Sequence, residues 1–200
     1  MCGLGGVGGF VLEALARAGI GKIAVVDCDA FDESNLNRQL LCTVDTVGKN
    51  KVDAAVARIK AINPEIEVYA ESIRLSEDNI PALLDRVSPD YIADAIDCVS
   101  AKLRLAVEAE MRGIGMIASM GTGNKLDPTA FKVSDIYKTN VCPLARAMRR
   151  LLKERGVKHL KVVYSEEIPS LSGQTVASVS FVPSVAGMIM AGEIIKDLLK

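Results

Sequence analysis

Apolar positions along this chain recur in two alternating rhythms. Phe10 to Ala18 carries apolar residues at helical spacing, and Ile23-Ala24-Val25-Val26 is an unbroken apolar run, predicting a helix and then a strand over Lys22 to Asp27. A polar helical segment is expected near Glu33 to Leu40, then a longer helix from Lys49 to Ile62, stopped by Asn63-Pro64. The alternation continues with strand Glu67 to Ala70, helix Asn79 to Arg86, strand Tyr91 to Ala95, helix Ser100 to Arg112 and strand Gly115 to Ser119.

Strands that alternate with helices build a parallel sheet covered on both faces. The expected fold class is α/β: a doubly wound, mostly parallel Rossmann-like sheet. The rhythm changes after Gly121-Thr122-Gly123, with strand Thr129 to Ser134, basic helix Pro143 to Arg155 and strand Lys161 to Tyr164. A Gly/Ser-rich stretch, Ser170 to Ser180, leads to an apolar helix from Ser184 to Leu199, and Ser170 to Thr175 suits a mobile loop or lid. These segments extend the same domain, so residues 1–200 read as one unit. The strand that should precede the first glycines is reduced to Met1 and Cys2. A sheet missing most of its first strand is expected to leave backbone groups unpaired on its neighbours.

A composition that is 50% hydrophobic supports a packed core rather than disorder. With 24 basic and 25 acidic side chains, no global attraction to nucleic acid exists, which leaves only a local basic face for such a partner. No apolar stretch is long enough to span a bilayer and no signal-type segment opens the chain, so the expected location is the cytoplasm. The cysteines, Cys2, Cys28, Cys42, Cys98 and Cys142, are scattered and odd in number, as reduced structural thiols would be. No Cys-x-x-Cys pair occurs, which argues against a thiolate zinc site. The single histidine, His159, lies in a lysine-rich segment and reads as a solvated surface residue.

The chemistry begins at Gly3, Gly5, Gly6, Gly8 and Gly9. Glycines at these offsets let a strand turn tightly into a helix and let backbone amides approach a phosphate. Asp27 ends the next strand, where a carboxylate roughly twenty residues past the glycines holds a ribose hydroxyl. This pattern suits NAD, FAD, S-adenosylmethionine and ATP alike. Asn35 and Arg38, in Ser34-Asn35-Leu36-Asn37-Arg38-Gln39, place an amide and a forked cation at the sheet rim to bridge ribose and phosphates. The alternative for this segment is a surface helix with Ser34 as its N-cap. Lys51 opens the long helix, where a cation and a helix dipole together favour an anion; spacing alone does not choose between it and Lys49. Asp97, in Asp94-Ala95-Ile96-Asp97, is placed to hold magnesium on ATP phosphates, while Asp94 either is buried or caps the turn.

Later in the chain, Cys142 is the thiol to examine for a covalent step, although a turn before Pro143 accounts for it more simply. Arg146 lies three and four residues before Arg149 and Arg150 on a basic helix, a spacing that lets them meet nucleic-acid phosphates or simply be solvated; their assignment to tRNA rests on the resemblance given next. Tyr137 and Tyr164 read as packing rather than as base-stacking residues.

Gly3 to Gly8, Val26 to Asp29, Ser34 to Gln39, Val47 to Lys51 and Asp94 to Asp97 together resemble, in order and spacing, the ubiquitin-activating-type adenylyltransferase superfamily. Ser119 to Thr129, Asp135 to Thr139, Cys142 to Arg146 and Lys161 to Ser165 are further similar to the tRNA threonylcarbamoyladenosine dehydratases, so the resemblance covers nearly the whole chain. It implies ATP and Mg2+ as cofactors, with the glycines and Asp27 on the nucleotide, Asn35, Arg38 and Lys51 on the phosphates, and Asp97 on the metal. Arg38, Lys51 and Asp97 are then the catalytic set. The implied reaction activates the threonylcarbamoyl carboxylate of modified adenosine 37 in tRNA as an acyl-adenylate, which cyclises with loss of water. A homodimer is implied, and the apolar Ser184 to Leu199 helix either forms its contact or simply closes the core. Three other readings stand: activation of the C-terminus of a small sulfur-carrier protein, an NAD-dependent oxidoreductase, and a noncatalytic scaffold that keeps the nucleotide fold. Members of the superfamily carry a helix and a full strand before the glycine turn, so the resemblance implies a chain that is N-terminally truncated and expected to be inactive or poorly folded by itself.

Overall fold

The chain, described here for residues 1–169 and 177–200 of a computed structural model, folds into six strands and six helices around one sheet. The Ser170 to Thr175 segment read as a lid lies outside the described residues. In chain order the elements are α1 (Gly8–Arg17), β1 (Lys22–Val26), α2 (Lys51–Ile62), β2 (Glu67–Glu71), α3 (Ile80–Val87), β3 (Tyr91–Asp94) and α4 (Val99–Arg112). They continue with β4 (Gly115–Ser119), β5 (Phe131–Asp135), α5 (Pro143–Glu154), β6 (Lys161–Ser165) and α6 (Phe181–Leu198). Their boundaries follow local chemistry. Asn50 caps α2 by accepting from the Val52 amide at 2.8 Å, Pro143 opens α5, and Gly113 ends α4 in a left-handed conformation at φ 68°.

The strands form two hydrogen-bonded groups, β2 with β1 and β3-β4-β6-β5, all parallel except β5 against β6. Met1 to Gly3 lies between the groups. Cys2 bridges Val26 and Asp94 in parallel register, donating to Ala93 O at 2.9 Å and accepting from the Ala95 amide at 2.8 Å. On the other side Gly3 donates to Val26 O at 2.9 Å and Val26 donates to Met1 O at 3.0 Å. The expected gap at the first strand is thus closed at its carboxyl end by three residues. Below them, a cleft of about 360 Å³ opens between β1 and β3, lined by Lys22, Ala24, Tyr91 and Ala93 among others.

Alternation along each strand divides the core. Ile23, Val25, Ala93, Ile117 and Val163 point to the face covered by α1, α2 and α6. Val26, Ile92, Met116, Ala118 and Val162 point to the face covered by α3, α4 and α5. Two expectations change. The Glu33 to Leu40 segment contains only a single 3-10 turn, Glu33–Asn35, capped by Asp32 rather than by Ser34. The 3-10 turn Pro128–Ala130 precedes β5, which starts at Phe131 rather than at Thr129. From the Met1 to Gly3 segment the strands run outward as β1 and β2 on one side and as β3 and β4 on the other, so that segment marks the switch point where ligands bind in open α/β sheets.

Candidate functional site

At the switch point the glycines are demanded by space. A Cβ on Gly8 would lie 1.9 Å from Gly3 O, and one on Gly3, itself at φ 85°, would lie 2.7 Å from Ala95 O. The turn therefore lies directly on the Ala95–Ile96 loop that follows β3. At the start of α1 the Gly9 amide donates to Gly5 O at 3.0 Å, and the Phe10 and Val11 amides donate to Val7 O at 3.1 Å, so the turn closes directly onto the helix N-terminus. A Cβ on Gly6 would meet Arg38 Cγ at 3.4 Å and Pro183 of α6 at 3.3 Å, so Arg38 borders the turn.

Asp27 holds the turn in place: Oδ2 accepts from the Leu4 amide at 2.6 Å and Oδ1 from the Asp29 amide at 2.9 Å. A carboxylate has further lone pairs, so both contacts leave it able to accept from a ribose hydroxyl. Lys51 is buried, and its Nζ pairs with Asp29 Oδ2 at 3.0 Å. That lysine holds the Asp29 carboxyl below its usual range, against the upward pull of burial. Asn35 is buried and accepts from the Asp32 amide at 3.2 Å. Arg38 is half-buried, with Nη1 on Ser34 O at 2.7 Å and Asn37 Oδ1 at 2.9 Å.

Gly3, Gly5, Gly6, Gly8, Asp27, Arg38 and Lys51 thus gather through direct contacts or one intervening residue. Asp97 is exposed on the same rim, one residue beyond the Ala95–Ile96 contact with Gly3. Asp27, Cys28 and Asp29 could bring three ligand atoms within 4.8 Å, but Asp27 is engaged by two amides and Asp29 by Lys51. Three features were not assigned roles from sequence: Asp29 as the partner of Lys51, Pro183 against Gly6, and Gln39. Gln39 is buried with Oε1 lacking a partner, and its Nε2 is 3.9 Å from the Cβ position of Gly5.

A profile of the ThiF family matches residues 1–200. The chain belongs to the ThiF family. It is 42% identical, over 99% of its length and 85% of the relative's, to the tRNA threonylcarbamoyladenosine dehydratase of Bacillus subtilis. The E. coli tRNA N6-threonylcarbamoyladenosine dehydratase TcdA in complex with ATP superposes with a TM-score of 0.91 at 32% identity, covering 99% of this chain and 84% of that one. A sulfur carrier protein adenylyltransferase of Thermus thermophilus is 40% identical over 95 residues, 48% of this chain and 34% of the relative. The nicotinamide alternative finds no support among these ThiF relatives, since the TcdA complexes hold ATP and AMP.

Outside the rim, the structure sorts the remaining expectations. Cys142 is buried as the N-cap of α5, with Sγ 3.9 Å from the Cβ position of Gly121, which fits the turn explanation. The exposed thiol beside the rim is Cys98, which sequence reasoning passed over; the Ser100 hydroxyl and the Ala101 amide pull its pKa down. Arg149 is not open to a partner, because its guanidinium holds Thr139 through the carbonyl O at 2.9 Å and through Oγ1. Arg146 and Arg150 stay exposed on α5. Tyr164 is buried and Tyr137 donates to Val157 O, as packing residues do. His159 is exposed, with Nδ1 3.4 Å from Asp135 Oδ2.

Proposed function

We propose that this chain uses ATP to activate the threonylcarbamoyl carboxylate of modified adenosine 37 in tRNA and then closes it into a ring with loss of water. The observation that carries this reading is the extent of similarity. The dehydratase of Bacillus subtilis matches from end to end, including the region from β5 to α6, whereas the sulfur-carrier enzyme of Thermus thermophilus matches 48% of the chain.

In this reading the glycine turn at the N-terminus of α1 receives the phosphates, and Asp27 receives the ribose. Arg38, which borders the turn, exchanges its contacts with Ser34 and Asn37 for the phosphates. Lys51, held by Asp29, offers a fixed cation, and Asn35 offers its amide. The substrate carboxylate attacks the α-phosphorus and pyrophosphate leaves. These preplaced charges lower the barrier chiefly by positioning and electrostatics. Magnesium held by Asp97 would neutralise phosphate charge. An atom of the same substrate then attacks the activated carbonyl and AMP leaves, a step favoured by tethering that requires no protein nucleophile.

Arg146 and Arg150 supply the tRNA contact on α5. Phe181 and Met188, both exposed and seven residues apart on α6, supply a homodimer contact. The five cysteines are free, as a reducing cytoplasm keeps them. Among the described residues no helix is long and apolar enough to cross a membrane.

The deciding experiment is ATP–pyrophosphate exchange with two acid substrates: tRNA bearing threonylcarbamoyladenosine, and a small carrier protein with a free C-terminus. Exchange that depends on the modified tRNA is expected. Exchange driven by the carrier alone would replace this substrate with the second one.

A further inference from the structure

Lys102 on α4 and Asp94 at the end of β3 are both 0% exposed, and Lys102 Nζ lies 2.9 Å from Asp94 Oδ2. Taking two such charges out of water is costly for each ion, and well-packed apolar residues of similar size often stabilise a core as well or better. A pair retained there calls for a reason other than cohesion. The structure supplies one at Ile96. Its amide donates to Asp94 Oδ1 at 3.1 Å, and its carbonyl accepts from Lys102 Nζ at 3.2 Å. Both backbone polar groups of one loop residue are thus held by the two members of the pair, which apolar side chains cannot do.

The four residues Ala95 to Cys98 connect β3 to α4. The Ala95 amide is fixed on Cys2 O at 2.8 Å, and the Cys98 carbonyl accepts from the Lys102 amide at 3.0 Å. Gly3 packs so closely on Ala95 O that it cannot carry a side chain. The loop is therefore pinned at its start by the Met1 to Gly3 segment, at Ile96 by the ion pair, and at its end by α4. Asp97, the next residue, stands between the last two pins.

We propose that the buried Lys102–Asp94 pair is a positioning device that fixes the Ala95 to Cys98 loop, and with it the Asp97 carboxylate, against the glycine turn. Its consequence for catalysis rests on the reading of Asp97 as the magnesium carboxylate. Its consequence for the loop does not. Neither Lys102 nor Asp94 touches a substrate in this scheme. Both act through Ile96.

Two double variants test this: Asp94→Leu with Lys102→Met, which removes both holds on Ile96, and Asp94→Asn with Lys102→Met, which keeps the acceptor for the Ile96 amide. The readouts are amide hydrogen exchange, the thermal midpoint, and ATP affinity with and without magnesium. Exchange at Ile96, Asp97 and Cys98 is expected to quicken at least about tenfold while the amides of β4 and the middle of α4 keep their protection. Magnesium-dependent tightening of ATP is expected to fall roughly 10–100-fold, as when a group that orients a metal ligand is removed. The milder variant should show the smaller effect. Loop exchange that is unchanged, or loss of protection across the whole fold in both variants, would overturn the positioning role. Asp97→Asn separates the two ideas: if it leaves the magnesium effect intact, the assignment of Asp97 is wrong, and the loop exchange still decides the role of the pair.

Discussion

Gly8 and Gly19 look alike in sequence and differ in what surrounds them. A Cβ on Gly8 meets a backbone oxygen at 1.9 Å, whereas Gly19, at φ 84°, has nothing within 4 Å. Gly19→Ala should therefore cost only left-handed backbone strain, about 1–2 kcal/mol, and leave nucleotide affinity unchanged. Gly8→Ala forces the turn apart; it is expected to cost about 1–3 kcal/mol as an overpacking change and to weaken ATP binding as well. Chemical denaturation and calorimetric titration with ATP measure the two effects, and equal ATP affinities would refute the distinction. The glycine cluster was legible because spacing alone encodes a strand-to-helix turn. The duties of Asp27 and Lys51 were only half legible: Asp27 also anchors the Leu4 amide, and Lys51 is buried against Asp29, contacts made by residues 22 or more positions apart. Asp94 proved to be both of the things its sequence allowed, buried and the acceptor for a turn amide.

At the scale of elements, the hydrophobic rhythm carried the strand and helix order, because each strand alternates between two covered faces. It did not carry strand direction. Phe131–Asp135 runs antiparallel beside β6, and a five-residue pattern at an edge is the same read either way. Nor could the charge pattern of α5 separate a basic face from an internal tie, since Arg149 is turned to Thr139 by a contact ten residues back. The helix therefore predicts a split between its arginines. Arg149→Ala should lower stability by about 0.5–1.5 kcal/mol, the range of a typical hydrogen bond, with no change in how tRNA affinity depends on salt. Arg146→Glu with Arg150→Glu should leave the thermal midpoint in place and reduce the slope of log affinity against log salt by roughly 1.5. Filter binding over a salt series reads that slope, and an unaltered value would move the tRNA contact off this helix.

Across the whole molecule, the last turn of α6 locks the sheet from outside, through residues that no local pattern connects. Asp197 Oδ2 accepts from Tyr91 Oη of β3 at 2.8 Å and from Lys161 Nζ of β6 at 2.6 Å, and Oδ1 accepts from Lys200 at 2.9 Å. Burial alone would raise the Asp197 pKa, but the hydrogen bonds from Lys161, Lys200 and Tyr91 outweigh it and hold the carboxyl well below the usual range. Burial and the same carboxylate push the Tyr91 hydroxyl up, so it stays a donor throughout the working range. A carboxyl depressed by folding contributes stability in full above its unfolded pKa of about 3.9, and that contribution is lost as the pH falls through the lower folded value. Asp197→Asn keeps an acceptor for Tyr91 but removes the charge facing Lys161. At pH 7 it should be less stable by about 1.5–3 kcal/mol, the range for hydrogen bonds to charged groups. The gap should be constant from neutral pH down to about pH 5 and should narrow steadily below about pH 4. Urea unfolding at stepped pH tests this, because a gap that stays constant into strong acid would mean that packing, and not the carboxylate, ties α6 across β3 and β6.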